Sequence, residues 1–328
     1  MEEIMVSIYC NTYNHRDFIR CALDGFVKQK TDFRFEVLIH DDASTDGTKE
    51  IIQEYENKYP DIVKPIYQTE NQYSKGVNIA KIYQFPRMRG KYVAWCEGDD
   101  YWIDPNKLQK QVDFLESHPD YSMCCHSGYY VDEQGNKLPG MFRVFTQDQD
   151  IPTGEAIRKW VCPTASIVYR RELREKSSFP DMAYAPCGDY PLIINMSLLG
   201  KIRYFDTPMC AYRNNSNSVS ATWDKNKQKK IDVNTRFIRM LEEIDIYTSF
   251  KFSDDIKVMK DTKEFYILLM KGEFRLAKSP RYREVFKINK ASFYVYWLDA
   301  YFPWILRMYR GVKALIRKNR YKEIIGLL

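Results

Sequence analysis

An α/β fold, a largely parallel sheet with helices on both faces, follows from three observations on this 328-residue chain. Apolar runs of strand length alternate with helix-period segments through the N-terminal third, the pattern of successive βαβ units. Three of the four strand ends there carry polar clusters, Asn11–Asn14, Asp41-Asp42 and Glu97–Asp100. In such sheets ligands bind beyond the carboxyl ends of the strands, so clusters at equivalent places define a cleft. A composition of 45% hydrophobic and 15% aromatic residues supplies a sizeable core.

Residues 4–10, IMVSIYC, read as a strand buried on both faces. The polar turn 11–14 follows, then a helix with Phe18, Ile19, Ala22, Leu23, Phe26 and Val27 inward. Residues 35–39 form the second strand, ending in His40-Asp41-Asp42-Ala43-Ser44-Thr45-Asp46-Gly47. A helix bearing Ile51, Ile52, Tyr55 and Tyr59 stops at Pro60. Residues 62–67 are the third strand, and a helix is expected near 76–85. The fourth strand, 91–96, runs into Glu97-Gly98-Asp99-Asp100. Asp104-Pro105 looks like the N-cap and first turn of a helix with Leu108, Val112 and Leu115 on one side.

A strand that ends in a carboxylate cluster is costly unless something cationic neutralises it. A hard divalent ion carrying a phosphate would do so, because such ions take one or two carboxylates and fill other positions with phosphate oxygen and water. A solvated acidic turn is the alternative. Neither G-x-G-x-x-G after the first strand nor G-x-x-x-x-G-K-[ST] occurs, so dinucleotide and P-loop readings lose their support.

From Tyr121 the pattern changes. Strands are expected over 121–131, 165–169, 201–205 and 209–212, a turn at 132–136 and a short helix over 153–161. Gly188-Asp189-Tyr190 leads into a helix bearing Leu192, Ile193, Met196, Leu198 and Leu199. A main domain over 1–223 is followed by a helical C-terminal region, 224–328. Residues 271–328 hold 14 Lys/Arg against 4 Asp/Glu, whereas the rest holds 36 against 40. An acidic body with a basic, aromatic tail argues against a general nucleic-acid binder and suits an anionic surface. Trp297, Tyr301, Ile305, Met308, Val312 and Leu315 share one side at helical spacing; Arg307, Arg310, Lys313 and Arg317 share the other. Residues 291–320 therefore read as a helix lying in a membrane interface, or docking on protein. Eight scattered cysteines without a C-x-x-C pair, and no signal peptide, favour the cytosol, on the cytoplasmic face of the membrane.

Five segments in order, VSIYCNTYN (6–14), IHDDASTDGT (39–48), RGKYVAWCEGDDYWIDPNKL (89–108), GDYPL (188–192) and AYRNNSNSVS (211–220), carry a resemblance. The chain resembles the inverting family 2 glycosyltransferases of the GT-A fold, in particular bacterial members that elongate surface polysaccharides. The resemblance implies a Rossmann-like mixed sheet and a nucleotide-diphosphate sugar donor, most commonly a UDP-sugar. It implies Mn²⁺ or Mg²⁺ as cofactor and a saccharide or lipid-linked saccharide as acceptor. Asn11, Thr12, Tyr13 and Asn14 match the loop that holds the base, with Tyr13 stacking, and Asp42 matches the carboxylate that meets base or ribose. Glu97-Gly98-Asp99 stands in place of D-x-D, with Asp99 the metal ligand. Asp189 matches the catalytic base. Tyr212-Arg213-Asn214-Asn215 departs from Y-R-x-H by placing Asn215 at a frequent metal or phosphate contact. Lys75 and Lys81 fall where relatives keep a basic residue near the nucleotide.

The bland readings stand beside these. Asp189 also suits a helix N-cap. Asp41 and Asp46 read as turn and cap residues. Trp102 could line a sugar pocket or sit in the core. The four histidines lack metal spacing and read as structural, and Cys124 and Cys125 on a strand face opposite sides. A sugar-nucleotide pyrophosphorylase would need a basic Gly-rich loop after the first strand, which 11–16 lacks. A non-catalytic nucleotide-sugar or glycan-binding module is the second rival.

Overall fold

The computed structural model describes residues 3–305 apart from 217, 219–220 and 223–225. The chain divides into two compact units, Met1–Thr222 and Trp223–Leu328.

The first unit is built on strands β1 (Ile4–Thr12), β2 (Arg34–Asp41), β3 (Val63–Tyr67), β4 (Tyr92–Trp95), β5 (Tyr101–Trp102), β6 (Tyr121–Val131), β7 (Lys137–Phe142), β8 (Gln149–Asp150), β9 (Val168–Arg170) and β10 (Lys201–Arg213). Their order is β3-β2-β1-β4-β9-β6-β10-β5, with β7 on β6 and β8 on β10. The β3-β2-β1-β4 half is parallel, as alternation with helices requires. Beyond it β9 runs antiparallel to both β4 and β6, which makes the sheet mixed.

Side chains alternate across this sheet. Val6, Ile8 and Cys10 of β1 face a layer formed by α1 (Ile19–Val27), α2 (Thr48–Lys58) and α3 (Lys107–Ser117). Tyr9, Leu38 and Val93 face the opposite layer, with α4 (Thr153–Arg158) and α6 (Asp189–Leu199). Between those two helices lies α5 (Arg171–Lys176). Cys124 packs in the first layer and Cys125 in the second, as strand alternation demands.

Four elements differ from the sequence expectation, one being the strand expected over 165–169, where a 3-10 turn at Thr164–Ser166 precedes β9. No single helix covers 76–85. A 3-10 turn at Tyr73–Lys75, a π turn at Ala80–Gln84 and a 3-10 turn at Phe85–Arg87 stand there. Pro86 supplies no N–H, and the Gln84 amide is drawn down to the carbonyls of Cys10 and Leu38 at 3.1 and 3.2 Å, which anchors the segment to the sheet. The expected strands at 201–205 and 209–212 are one strand, β10, irregular between Phe205 and Cys210 against β6. The α3 helix begins at Lys107 because Asp104 accepts the Asn106 N–H at 2.8 Å in a turn of its own.

The second unit is helical: α7 (Lys227–Tyr247), α8 (Ser253–Lys271), α9 (Phe274–Ala277), α10 (Arg283–Ile288) and α11 (Lys290–Tyr301). Asn226 caps α7 by accepting the Lys229 N–H at 2.9 Å. Phe265, Phe274 and Phe293 centre its core, and Trp297 packs partly against them. Tyr294, Tyr301, Phe302 and Trp304 are exposed. No helix among the described residues is long and apolar enough to cross a membrane. The rest of the amphipathic pattern, from Arg307 through Leu315 to residue 320, lies outside the described residues.

Candidate active site

The three strand-end clusters are bonded to one another. Asn11 donates its backbone N–H to Glu97 Oε2 at 3.1 Å, and Gly98 returns a backbone N–H to the Asn11 carbonyl at 2.9 Å. Asp42 donates its N–H to the Thr12 carbonyl at 3.0 Å. Gly98 is required here by close approach: a Cβ would meet Thr12 Oγ1 at 2.8 Å and His15 Nδ1 at 3.1 Å.

Within the acidic turn each carboxylate has its own surroundings. Glu97 Oε1 accepts the Trp95 indole N–H at 2.7 Å. Its carboxyl is pushed up to about 7, first by burial, with the Asp99 and Asp189 charges adding and the Trp95 and Asn11 donors opposing. Asp100 is buried, accepts the Arg213 backbone N–H at 2.8 Å, and is held well above the usual carboxylate range by burial and then by Asp99. Asp99 is half-buried at the turn's open side, its carbonyl accepting from Arg213 Nε at 2.9 Å. Arg213 also donates to the carbonyls of Asp132 and Glu133 at 3.0 and 2.7 Å, and its guanidinium lies 4.8 Å from the Phe18 ring centroid. One side chain thus ties the end of β10 to the acidic turn and the β6–β7 turn.

Around the ends of β1 and β2 the polar groups are mostly engaged. Asn11 Nδ2 donates to Tyr9 Oη at 2.6 Å. The Asn14 side chain accepts the Thr45 N–H at 2.9 Å, and its backbone N–H goes to Ser44 Oγ at 2.9 Å, which clamps the β1–α1 and β2–α2 loops together. Tyr13 projects, 44% exposed. Thr12 Oγ1 is buried and has no partner. Asp42 is buried and accepts the N–H groups of Gln72 and Tyr73 at 2.7 and 3.0 Å. Asp46 accepts from Thr48 and Arg16, as a helix-start residue should.

Asp189 is the first residue of α6, and Gly188 rather than Asp189 occupies the cap position. The carboxylate is held from outside its helix: Oδ2 accepts Thr164 Oγ1 at 2.7 Å and the Trp160 indole N–H at 3.2 Å. Gly188 faces Trp95, where a Cβ would stand 3.0 Å from the ring. Asp189 is thereby brought to the Trp95–Glu97 end of β4, and its charge is one of the causes that raise Glu97.

Other residues fall elsewhere. Lys81 pairs with Asp181, and Lys75 with Glu70, both at exposed positions. Asn215 is buried two residues beyond Arg213, its N–H on the Arg213 carbonyl at 3.0 Å. Trp102 is core: 4% exposed, its indole donating to the Ala165 carbonyl at 2.8 Å and its ring edge-on to Phe26. The sequence reading missed Arg213 as the organising cation, Trp95 as the donor to Glu97, and Trp160 with Thr164 as the support of Asp189. His15 was read as structural; it sits beside the acidic turn, its buried Nδ1 without a partner and its imidazole pKa lowered, chiefly by burial. Only Trp95 carried a local signal, standing two residues before Glu97 on the same face of a strand.

The donor set fits a divalent cation that brings ligands of its own. Among the described residues no three His, Cys, Asp or Glu side chains group closely enough to hold an ion alone. Yet the Glu97 carboxyl, raised to about 7 chiefly by burial, also feels the charges of Asp99 and Asp189. One or two carboxylates completed by phosphate oxygen and water is the arrangement that magnesium-type ions accept.

The family model "Glycosyl transferase family 2" matches residues 7–177, just over half of the chain. An uncharacterized protein of Mycobacterium tuberculosis is 37% identical over 225 residues, 68% of this chain and 63% of the relative. The UDP-Glc:α-D-GlcNAc-diphosphoundecaprenol β-1,3-glucosyltransferase WfaP of Escherichia coli is 30% identical over 218 residues, 66% of this chain and 80% of WfaP. The crystal structure of Staphylococcus aureus TarS 1-349 with UDP-GlcNAc superposes with a TM-score of 0.59 at 20% identity, over 81% of this chain and 72% of that one. This likeness is one of fold, the curled mixed sheet of GT-A proteins. The chain belongs to glycosyl transferase family 2. It spans 63% of the length of the mycobacterial relatives it matches.

Proposed function

We propose that the chain transfers a sugar from a nucleotide-diphosphate sugar, with a UDP-sugar the first choice, to an acceptor hydroxyl of a growing surface saccharide, with inversion of configuration. The observation that supports this reading is the pair Glu97 and Asp99 just beyond β4, with Asp189, held by Thr164 and Trp160, near enough for its charge to act on Glu97. The names of WfaP and TarS, tied to UDP-Glc and UDP-GlcNAc, support a UDP-sugar, and the diphosphoundecaprenol acceptor of WfaP supports a lipid-linked saccharide.

In this mechanism Tyr13 stacks on the base, Asn11–Asn14 and Asp42 line the nucleotide, and Glu97 meets the ribose side. Asp99, with Asn215 as a neutral supporting ligand, would hold Mn²⁺ or Mg²⁺. When bound, that ion neutralises the donor diphosphate and makes it a better leaving group. Asp189 accepts the proton of the acceptor hydroxyl. The freed oxygen forms a bond to the anomeric carbon from the face opposite the leaving diphosphate, whose bond to that carbon breaks. One base and one displacement give inversion. Thr164 and Trp160 keep Oδ2 fixed, so the carboxylate loses little freedom on reaching the attack geometry.

The C-terminal segment, with exposed Tyr294, Tyr301, Phe302 and Trp304 and a basic sequence after them, is the proposed contact with the cytoplasmic membrane surface, where a lipid-linked acceptor is presented. A donor panel with Mn²⁺ or Mg²⁺, reading nucleoside diphosphate release, tests the function. Asp189→Asn is expected to abolish transfer while sparing nucleotide binding. Near-normal turnover in that variant would remove Asp189 from its role.

A further inference from the structure

A cavity of about 290 Å³ lies on the face of the sheet under Trp95, between the 78–87 segment and residues 174–195. Its wall reaches Gly188, the residue before Asp189, and its floor is aromatic. Tyr9 and Trp95 meet edge-on there with centroids 4.9 Å apart, and Phe85 lies beside Tyr9. Asn195 and Ser177 form a polar rim, bonded to one another at 2.8 Å. An aromatic floor with amide and hydroxyl groups around it is the surface that one sugar ring fits, apolar face down and hydroxyls outward.

The charges of this cavity are unequal. Lys81 and Asp181 neutralise one another. Arg174 has no ion pair or side-chain hydrogen bond among the described residues; its guanidinium lies 4.3 Å from the centroid of Phe85. A guanidinium stacked on an aromatic ring is held rigid, and its N–H groups stay directed outward in the plane. Arg174 is partly exposed, so that fork is open to the two oxygens of a carboxylate or phosphate.

We propose that this cavity binds an anionic sugar residue of the acceptor, and that Arg174 binds its carboxylate or phosphate. The assignment to acceptor rests on the transferase reading above, which puts the nucleotide at Asn11–Asn14 and Asp42 and the acceptor beside Asp189. Arg174 thereby sets which saccharides are extended, favouring uronate or phosphate-bearing residues over neutral hexoses.

Ligand-observed NMR on the full chain with glucuronate, glucose 1-phosphate and glucose as probes tests this, with UDP and Mn²⁺ binding measured in parallel by calorimetry. At least one anionic sugar is expected to bind tenfold or more tightly than glucose. Its identity separates a carboxylate from a phosphate source. Arg174→Ala is expected to bring that sugar down to the glucose level, and Arg174→Lys to keep part of the preference, with thermal melts unchanged. Equal binding of all three probes, no binding of either anion, or a preference that survives Arg174→Ala overturns the proposal. Displacement of the sugar by UDP assigns the cavity to the donor and overturns it equally. If UDP itself fails to bind while the anion preference persists, the transferase reading falls and takes the acceptor assignment with it.

Discussion

The Trp95 indole N–H donates to Glu97 Oε1 at 2.7 Å, while the same ring packs on Gly188 beside Asp189. The positions of two carboxylates, Glu97 and Asp189, are thus registered by one aromatic side chain. Trp95 both steadies the charged form of Glu97 and spaces it from the helix that presents Asp189.

Replacing Trp95 with Phe keeps the packing on Tyr9 and removes the donor. Glu97 is then expected to titrate higher, because one of the groups opposing its upward shift is gone. Removing a hydrogen bond to a charged group costs on the order of 2 kcal/mol, so transfer is expected to fall by roughly ten- to thirtyfold near neutral pH. The pH–rate profile should recover part of the loss at higher pH. A variant within twofold of the parent at every pH would contradict this role.

Thr164→Val removes the 2.7 Å hydroxyl bond to Asp189 and leaves shape and volume close to the original. A carboxylate free to rotate loses alignment, and a drop in kcat of about tenfold with little change in donor KM is expected. Steady-state kinetics with saturating acceptor provides the check. A change confined to donor KM would argue that Thr164 supports binding instead.

Lys107 lies fully buried on α3, its Nζ 4.1 Å from the Trp102 ring centroid and without a hydrogen-bond partner. Burial pulls its ammonium from the usual 10.5 down to about 8. Between these values the unfolded chain holds a proton that the folded chain has released, so this residue adds stability as pH rises from 8 to 10.5. Below pH 8 the buried charge is a constant cost, on the order of 3 kcal/mol. Lys107→Met, which keeps the length and drops the charge, is expected to be more stable at pH 7 and to lose that pH-dependent gain. Urea melts of both proteins at pH 7 and pH 10 measure the difference; a destabilised Met variant would refute the assignment.

Ending the chain at Lys290 removes the α11 helix with its exposed Tyr294 and Tyr301, and Phe302 and Trp304 beyond it. Cosedimentation with anionic vesicles is expected to fall to the level seen with neutral ones, since both the aromatic and the basic contributions are lost. Phe293 is 1% exposed and packs in the second unit, so a thermal melt must accompany the assay. Undiminished sedimentation by a folded, shortened chain would place membrane contact elsewhere.

Much of the architecture was legible locally. The runs at 4–10, 35–39 and 92–95 are short, apolar and punctuated by polar turns, so they can form little else than buried strands of a parallel sheet. The clusters at Asn11–Asn14, Asp41-Asp42 and Glu97–Asp100 stand at strand ends, and strand ends on one edge of a parallel sheet must lie together. Residues 76–85 were misread because their conformation depends on Gln84 reaching two carbonyls of distant strands.

What the sequence by itself determined is the sheet, its loaded edge and the identity of the acidic turn, because side-chain period and turn chemistry act over a few residues. The partners of that turn were decided only by the tertiary structure. Arg213 lies 113 positions from Asp100, and Thr164 lies 25 from Asp189. Trp102 shows the same limit: its composition suited a sugar pocket or a core, and packing against Phe26 and Ala165 chose the core. Contacts of that range follow from how layers close on one another, and no local spacing encodes them.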